Sequence, residues 1–176
     1  MKKTKSNSLV KSLAGTNVKI KSDGGGLHPI WVLFDRTHFA VSRSRLLELA
    51  QFHLTKEQAQ ILYALRLYGG STNMTQIAAF TMRQRHSVST LVDRMEKAGL
   101  VKKVKVPNKK GYKVIITNKG RQRYQKVTIK SIEMIFDSLS AADRSKLQES
   151  LHLLQNKARN MLGLDHNPPF LNITND

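Results

Sequence analysis

Apolar residues along the chain fall into a series of helical stripes interrupted by one short alternating stretch. From His28 to His53, Ile30, Phe34, Thr37 or His38, Val41, Arg45 or Leu46 and Leu49 recur at steps of three or four, which predicts a long amphipathic helix. The segment Thr55-Lys56-Glu57-Gln58 restarts the chain with a capping box. Gln58, Ile61, Leu62, Leu65 and Tyr68 then face inward on a second helix that stops at Gly69-Gly70. After Ser71-Thr72-Asn73, a short helix is expected over Met74–Phe80, with Thr75 as its cap and small alanines where another helix must come close. Thr81, Met82 and Arg83 form the turn into a fourth helix from Gln84, whose buried face is Val88, Leu91, Val92 and Met95. Gly99 ends it as a left-handed residue can. Val101–Val106 alternates as a strand does, Pro107–Gly111 supplies turn residues, and Tyr112–Thr117 returns. Beyond the hairpin, Tyr124, Thr128, Ile132, Ile135 and Leu139 keep one stripe on a helix beginning at Thr117, and Ser140 with Asp143 caps another. In this last helix Leu147, Leu151, Leu154, Ala158 and Met161 alternate steps of four and three, a coiled-coil seam that needs a partner. That partner is either the first long helix or a second copy of the chain.

The outward face of the fourth helix changes the picture from fold to function. Opposite its buried stripe it carries His86, Thr90, Asp93, Arg94 and Lys97, with Ser87 and Ser89 on the flanks. A solvated face is the ordinary fate of such residues, but the charge here is concentrated. Between Met82 and Lys130 fifteen Lys or Arg stand against Asp93 and Glu96 alone, so this segment holds +13 of the net +18. A helix followed at once by a basic two-stranded hairpin is a DNA-reading pair, and the charge calls for a polyanion. Residues 1–27 read as a basic flexible arm, with six lysines before Gly24-Gly25-Gly26. Double-stranded DNA is the expected partner, and a membrane is not, because the basic segment lacks the apolar wedge of an interfacial helix.

Other classes of function find little in these residues. Without cysteine, thiolate catalysis, zinc-thiolate sites and disulfides are excluded. The twelve acids are scattered, and there is no glycine-rich phosphate loop or nucleophile elbow, so neither an enzyme nor a cofactor is expected. The six histidines include no His-x-x-x-His pair, and Glu149 with His152 reads as surface rather than metal site. No run of eighteen apolar residues occurs, which fits a soluble, cytoplasmic chain. Trp31, beside Arg36 and His38, offers the residue types of a small-molecule pocket or simply of core packing.

Four stretches in order carry a family resemblance: Leu54-Thr55-x-x-Gln58, Met74-Thr75-Gln76-Ile77-Ala78, Val88 to Glu96 continuing through Lys97-x-Gly99-Leu100-Val101, and Asn108-x-Lys110-Gly111-x-x-Val114-x-Ile116-Thr117-x-x-Gly120. Over roughly Ile30–Leu162 the chain resembles the MarR family of bacterial transcription regulators. The resemblance implies a mainly α fold with a small β-hairpin wing, a winged helix-turn-helix with N- and C-terminal dimerisation helices. The implied division is a dimerisation helix at 28–53, a DNA-binding lobe at 54–118, C-terminal dimerisation helices at 119–163 and a tail at 164–176. By position it makes Gln84, Arg85, His86, Ser87, Ser89, Thr90 and Arg94 the DNA-binding recognition helix, and Lys105, Asn108, Lys109, Lys110 and Tyr112 the wing. It further implies a homodimeric repressor of a pseudo-palindromic operator, released by a small-molecule effector, with Trp31 and His38 as pocket candidates. The alternative is a constitutive nucleic-acid-binding protein without sequence preference. Two positions depart from the pattern. Asn108 and Lys110 replace the usual Asp and Arg of the wing, and lysine lacks arginine's planar fork. Thr81 and Arg83 stand where apolar residues are common. The run Arg83-Gln84-Arg85-His86-Ser87 is similar to a subgroup associated with reductive dehalogenase genes.

Overall fold

Capping and turn chemistry sets most element boundaries in the computed structural model, which describes residues 26–107 and 111–164. Nearly all of the expected basic arm and tail, and the wing-tip residues Asn108, Lys109 and Lys110, lie outside the described residues. By internal packing the chain divides into residues 1–39 and 40–176. Helix α1 (Leu27–Ala50) begins in the first unit, where Leu27, Ile30, Trp31 and Phe34 repeat at helical spacing yet stand exposed. The second unit contains α2 (Lys56–Leu67), β1 (Ser71–Asn73), α3 (Met74–Thr81), α4 (Arg85–Lys97), β2 (Val101–Lys105), β3 (Tyr112–Ile116), α5 (Asn118–Gln125), α6 (Lys130–Phe136) and α7 (Ala141–Met161).

A helix-turn-helix and a three-stranded antiparallel sheet enclose the core of this second unit. Ile61, Leu62 and Leu65 of α2, Ile77 of α3 and Val88, Val92 and Met95 of α4 meet Val101 and Val114 from the sheet. The predicted inward stripe of α4 therefore holds, with Leu91 half-buried against the same cluster. The capping box of α2 also forms: Thr55 Oγ1 accepts from the Gln58 amide, and Gln58 Oε1 accepts from the Thr55 amide. Gly69, Gly70 and Gly99 take the positive φ at which their helices were expected to stop.

One element had no assignment from the sequence, and three expectations need correction. Ser71–Asn73 is a strand: β1 pairs with β3, giving the order β1-β3-β2. Three residues are too few to display a period of two, so only the tertiary pairing reveals it. The cap of α3 is Asn73 rather than Thr75, because the Asn73 carboxamide accepts from the Gln76 amide. The first helix ends at Ala50, not His53, and residues 51–53 form turns. Finally, the single stripe expected from Thr117 to Leu139 is broken between α5 and α6 at residues 126–129.

Side chains from elsewhere in the fold hold that break. Arg45 Nη1 donates to the Thr128 carbonyl at 2.5 Å and to Glu48 Oε2 at 2.7 Å. Glu48 in turn accepts from the Thr128 hydroxyl, the Ser131 hydroxyl and the Ser131 amide. Burial works to raise the Glu48 pKa, but these hydrogen bonds from Ser131, Thr128 and Arg45 outweigh it and hold the carboxyl at about 2. A helix that would otherwise continue is interrupted because its free backbone groups find partners on α1.

The turn between α3 and α4 carries a strained residue. Met82 sits at φ 51 and ψ 38, the left-handed region, and its side chain is exposed. A side chain with Cβ costs roughly 1–2 kcal/mol there. Met82→Gly removes that cost and loses little packing. It should raise stability by about 0.5–1 kcal/mol in urea unfolding, after the extra freedom of glycine in the unfolded chain is counted.

Candidate nucleic-acid interface

Helix α4 starts without a side-chain cap on Gln84 and without an acid in its first turn. Its leading amides and the positive end of its dipole are thus open to an anion. Gln84, Arg85 and His86 are exposed around this end, as are Thr90 and Arg94 along the same outward side, while Ser87 and Ser89 are half-buried. Local bonds orient the group. The Ser87 hydroxyl lies 3.2 Å from His86 Nε2, and the Thr90 hydroxyl donates to the His86 carbonyl at 3.1 Å. With its proton turned back into the helix, Thr90 presents a methyl group and an acceptor, suited to a thymine methyl or a base amino group.

The sheet places the hairpin beside this helix. Pairing of Lys105 with Tyr112 and Val101 with Ile116 fixes the register of the two hairpin strands. Lys105 is exposed, and Tyr112 is half-exposed beside Gly111, whose φ of 126 accommodates the turn. Between α4, β1 and the hairpin runs an open cleft of about 970 Å³. Arg85, His86 and Ser89 line one side, and Lys103, Tyr112 and Lys113 line the other. The recognition-helix candidates Arg85, His86 and Ser89 and the wing candidate Tyr112 thus line one concave surface whose charged residues are Arg85, Asp93, Lys103 and Lys113.

One of the expected outward residues, Asp93, behaves differently, and Glu96 joins it. Asp93 does not project freely: its carboxylate takes the Lys103 ammonium at 2.5 Å. Glu96 accepts from the Lys103 amide at 2.6 Å and lies 3.4 Å from its ammonium. The hydrogen bond to Asp93, with the charges of Asp93 and Glu96, raises the Lys103 pKa despite some desolvation. Lys103 was missed in the sequence because a strand lysine among lysines carries no distinguishing signal. The clue was the pair of acids in an otherwise basic segment.

Trp31 and His38, the effector-pocket candidates, lie on exposed turns of α1, where Trp31 packs its ring 6.2 Å from Phe34. Among the described residues there is no cluster of three or more potential metal ligands, and no helix is long and apolar enough to cross a membrane.

A family model described as the MarR family matches residues 53–110. The match covers 58 of the 176 residues. Solved structures resemble the chain well beyond it. AbsC, a MarR family transcriptional regulator from Streptomyces coelicolor, is 22% identical, with 80% of this chain and 99% of that one covered at a TM-score of 0.74. The organohalide-sensing RdhR transcriptional regulator in its 2,4-dichlorophenol-bound form is 24% identical, with 81% and 89% covered at 0.68. A mutant MarR from E. coli complexed with operator DNA is 20% identical, with 76% and 99% covered at 0.67. A comparison with curated proteins finds no sequence match. At these identities the structures establish the winged fold, and the matched segment spans α2, β1, α3, α4 and β2. The mainly helical architecture with its small antiparallel sheet is the one anticipated from the sequence.

Proposed function

We propose that the chain is a sequence-specific DNA-binding transcription regulator acting as a homodimeric repressor of a pseudo-palindromic operator. The observation that carries this reading is the acid-free, uncapped start of α4, with Arg85, His86 and Thr90 exposed beside a basic hairpin. In helix-turn-helix proteins the early residues of the recognition helix reach base edges. Gln84, Arg85, His86, Ser87, Ser89 and Thr90 take that place, while Arg94 and the wing residues Lys105, Asn108, Lys109, Lys110 and Tyr112 hold the backbone or minor groove. The solved E. coli MarR and S. aureus MepR complexes with DNA support this assignment by fold.

A second copy of the chain accounts for apolar surface that one copy leaves bare. In the first unit Leu27, Ile30, Trp31 and Leu33 are exposed, and in the second the seam residues Leu154 and Met161 with Leu153 and Leu162. Exposed large apolar side chains gathered along a helix mark an interaction surface. Dimerisation would place the two recognition helices about 34–36 Å apart, in successive major grooves of one operator. Release by a small ligand, with Trp31 and His38 at its pocket, is supported by analogy with the dichlorophenol-bound and p-coumaroyl-CoA-bound regulators.

Substitution separates base reading from phosphate holding. His86→Ala or Thr90→Ala should cost about 1–3 kcal/mol at particular base pairs and leave random duplexes bound as before. Lys105→Ala should weaken all sequences alike and flatten the salt dependence by about 0.9 per lost phosphate contact. Competition binding with single-base operator variants, repeated over a salt series, checks both. Equal loss on every sequence for His86→Ala and Thr90→Ala would remove these two from the base-reading set.

A further inference from the structure

The recognition helix carries two carboxylates, Asp93 and Glu96, close to the surface offered to DNA. Acids beside a phosphate backbone weaken binding by repulsion, so their placement calls for another role. Both are occupied by one lysine. Lys103 Nζ meets Asp93 Oδ1 at 2.5 Å and Glu96 Oε2 at 3.4 Å, and it lies 5.6 Å from the centre of the Tyr112 ring. Its backbone amide is held as well, by Glu96 Oε1 at 2.6 Å. Groups from α4, β2 and β3 therefore converge on a single ammonium, two residues from the exposed Lys105. An ammonium has three donors, and here two carboxylates and a ring face draw it toward α4 and β3 rather than toward a phosphate.

We propose that Asp93, Glu96 and Lys103 form a clamp that fixes the hairpin against the recognition helix, making Lys103 a positioning residue for DNA reading rather than a phosphate contact. The inference rests on the DNA-reading function proposed above. Its physical basis is that, among the described residues, β2 is an edge strand paired with β3 alone, so side-chain contacts from α4 help set where its outer end lies. Carboxylates one helical turn apart grip Lys103 from two directions and set the distance between the helix end and the wing. Tyr112 is fixed by the same ammonium, so its approach to the duplex depends on α4.

The clamp gives one outcome a sign opposite to that of simple charge. Asp93→Asn removes a negative charge from the cleft, and electrostatics alone would tighten DNA binding, as would freeing Lys103 for a phosphate. With the clamp, Asp93→Asn instead weakens binding by roughly five- to tenfold. Lys103→Met should weaken it similarly, and adding Asp93→Asn to Lys103→Met should cost little more, because the two act through one contact. Lys103→Arg retains most of the affinity, since a guanidinium can still bridge both acids.

The experiment measures affinity of the full-length wild type and these variants for a duplex recovered from a random pool, with hydroxyl-radical footprints of each complex. Circular dichroism and thermal unfolding monitor the fold. The expected result is weaker binding by Asp93→Asn, with protection lost at the wing-facing positions and kept over the major-groove contacts of α4. Equal or tighter binding by Asp93→Asn, or additive losses in the double variant, would overturn the clamp while leaving DNA reading intact. Failure of the wild type to prefer any duplex would overturn the DNA-reading function itself. If Lys103→Met does not fold, Asp93→Asn and Lys103→Arg decide the matter between them.

Discussion

Replacing Glu48 with alanine should destabilise the fold by about 3 kcal/mol at neutral pH, because it leaves a partly buried guanidinium without its carboxylate. Glu48 is 8% exposed and Arg45 16%. The same change strips a partner from the Ser131 amide and from two hydroxyls at the start of α6. The carboxylate also makes stability depend on acid. Its folded pKa of about 2 lies below its ordinary value of 4.5. The contribution is therefore fully present above about pH 4.5 and is lost as pH falls toward 2. Its size is on the order of 2 kcal/mol once solvent screening is allowed for. Urea unfolding of the wild type and Glu48→Ala between pH 2 and 7 checks both parts. The two stabilities should converge at the acid end, and a constant gap across the range would show that the ionised carboxylate is not the source.

Gly120→Ala should cost about 3 kcal/mol or more, lowering the thermal midpoint by roughly 10 °C. A Cβ at this position would lie 2.1 Å from the Leu100 carbonyl oxygen and 3.1 Å from Ile116 Cγ1. The first of these is backbone at the junction of α4 and β2, so it cannot swing aside as a flexible side chain would. The cap of α5 shares the strain. Thr117 Oγ1 accepts from the Gly120 amide at 3.0 Å while its own hydrogen lies toward the Gly99 carbonyl, 2.7 Å away. Moving α5 to admit the methyl group breaks this bridge between the recognition helix and the wing's return strand. Thermal unfolding followed by circular dichroism measures the loss, and an unchanged midpoint would show that α5 can lift away without cost.

Both sites show where a sequence stops being legible. The helices from α2 to α4 could be drawn from their stripes because Ile61, Leu62, Leu65, Val88, Val92 and Met95 face one shared core, and local spacing reports that directly. Gly99 was legible because a left-handed helix end favours a residue without Cβ. The interruption between α5 and α6 was not, since it depends on Arg45 and Glu48, some eighty residues earlier. The stripe through Tyr124, Thr128 and Ile132 was real as spacing but could not report that the Thr128 carbonyl is taken by α1. Strand β1 was hidden for a similar reason, its three residues being defined by pairing with Lys113–Ile115. On α4, exposure of His86, Thr90, Arg94 and Lys97 followed from helical phase alone. Asp93 broke the pattern because its partner approaches from the next strand.

We propose that this surface reads a particular DNA sequence as a dimer. Its most direct test is selection of bound duplexes from a random pool by the full-length protein at about physiological salt, where purely ionic binding is already weak. The account predicts recovery of an inverted repeat whose half-site centres lie about one helical turn apart, bound on the order of 10³-fold more tightly than random duplex. Recovery of no shared sequence, with selected and random duplexes bound equally, would contradict it and make the chain a general nucleic-acid binder.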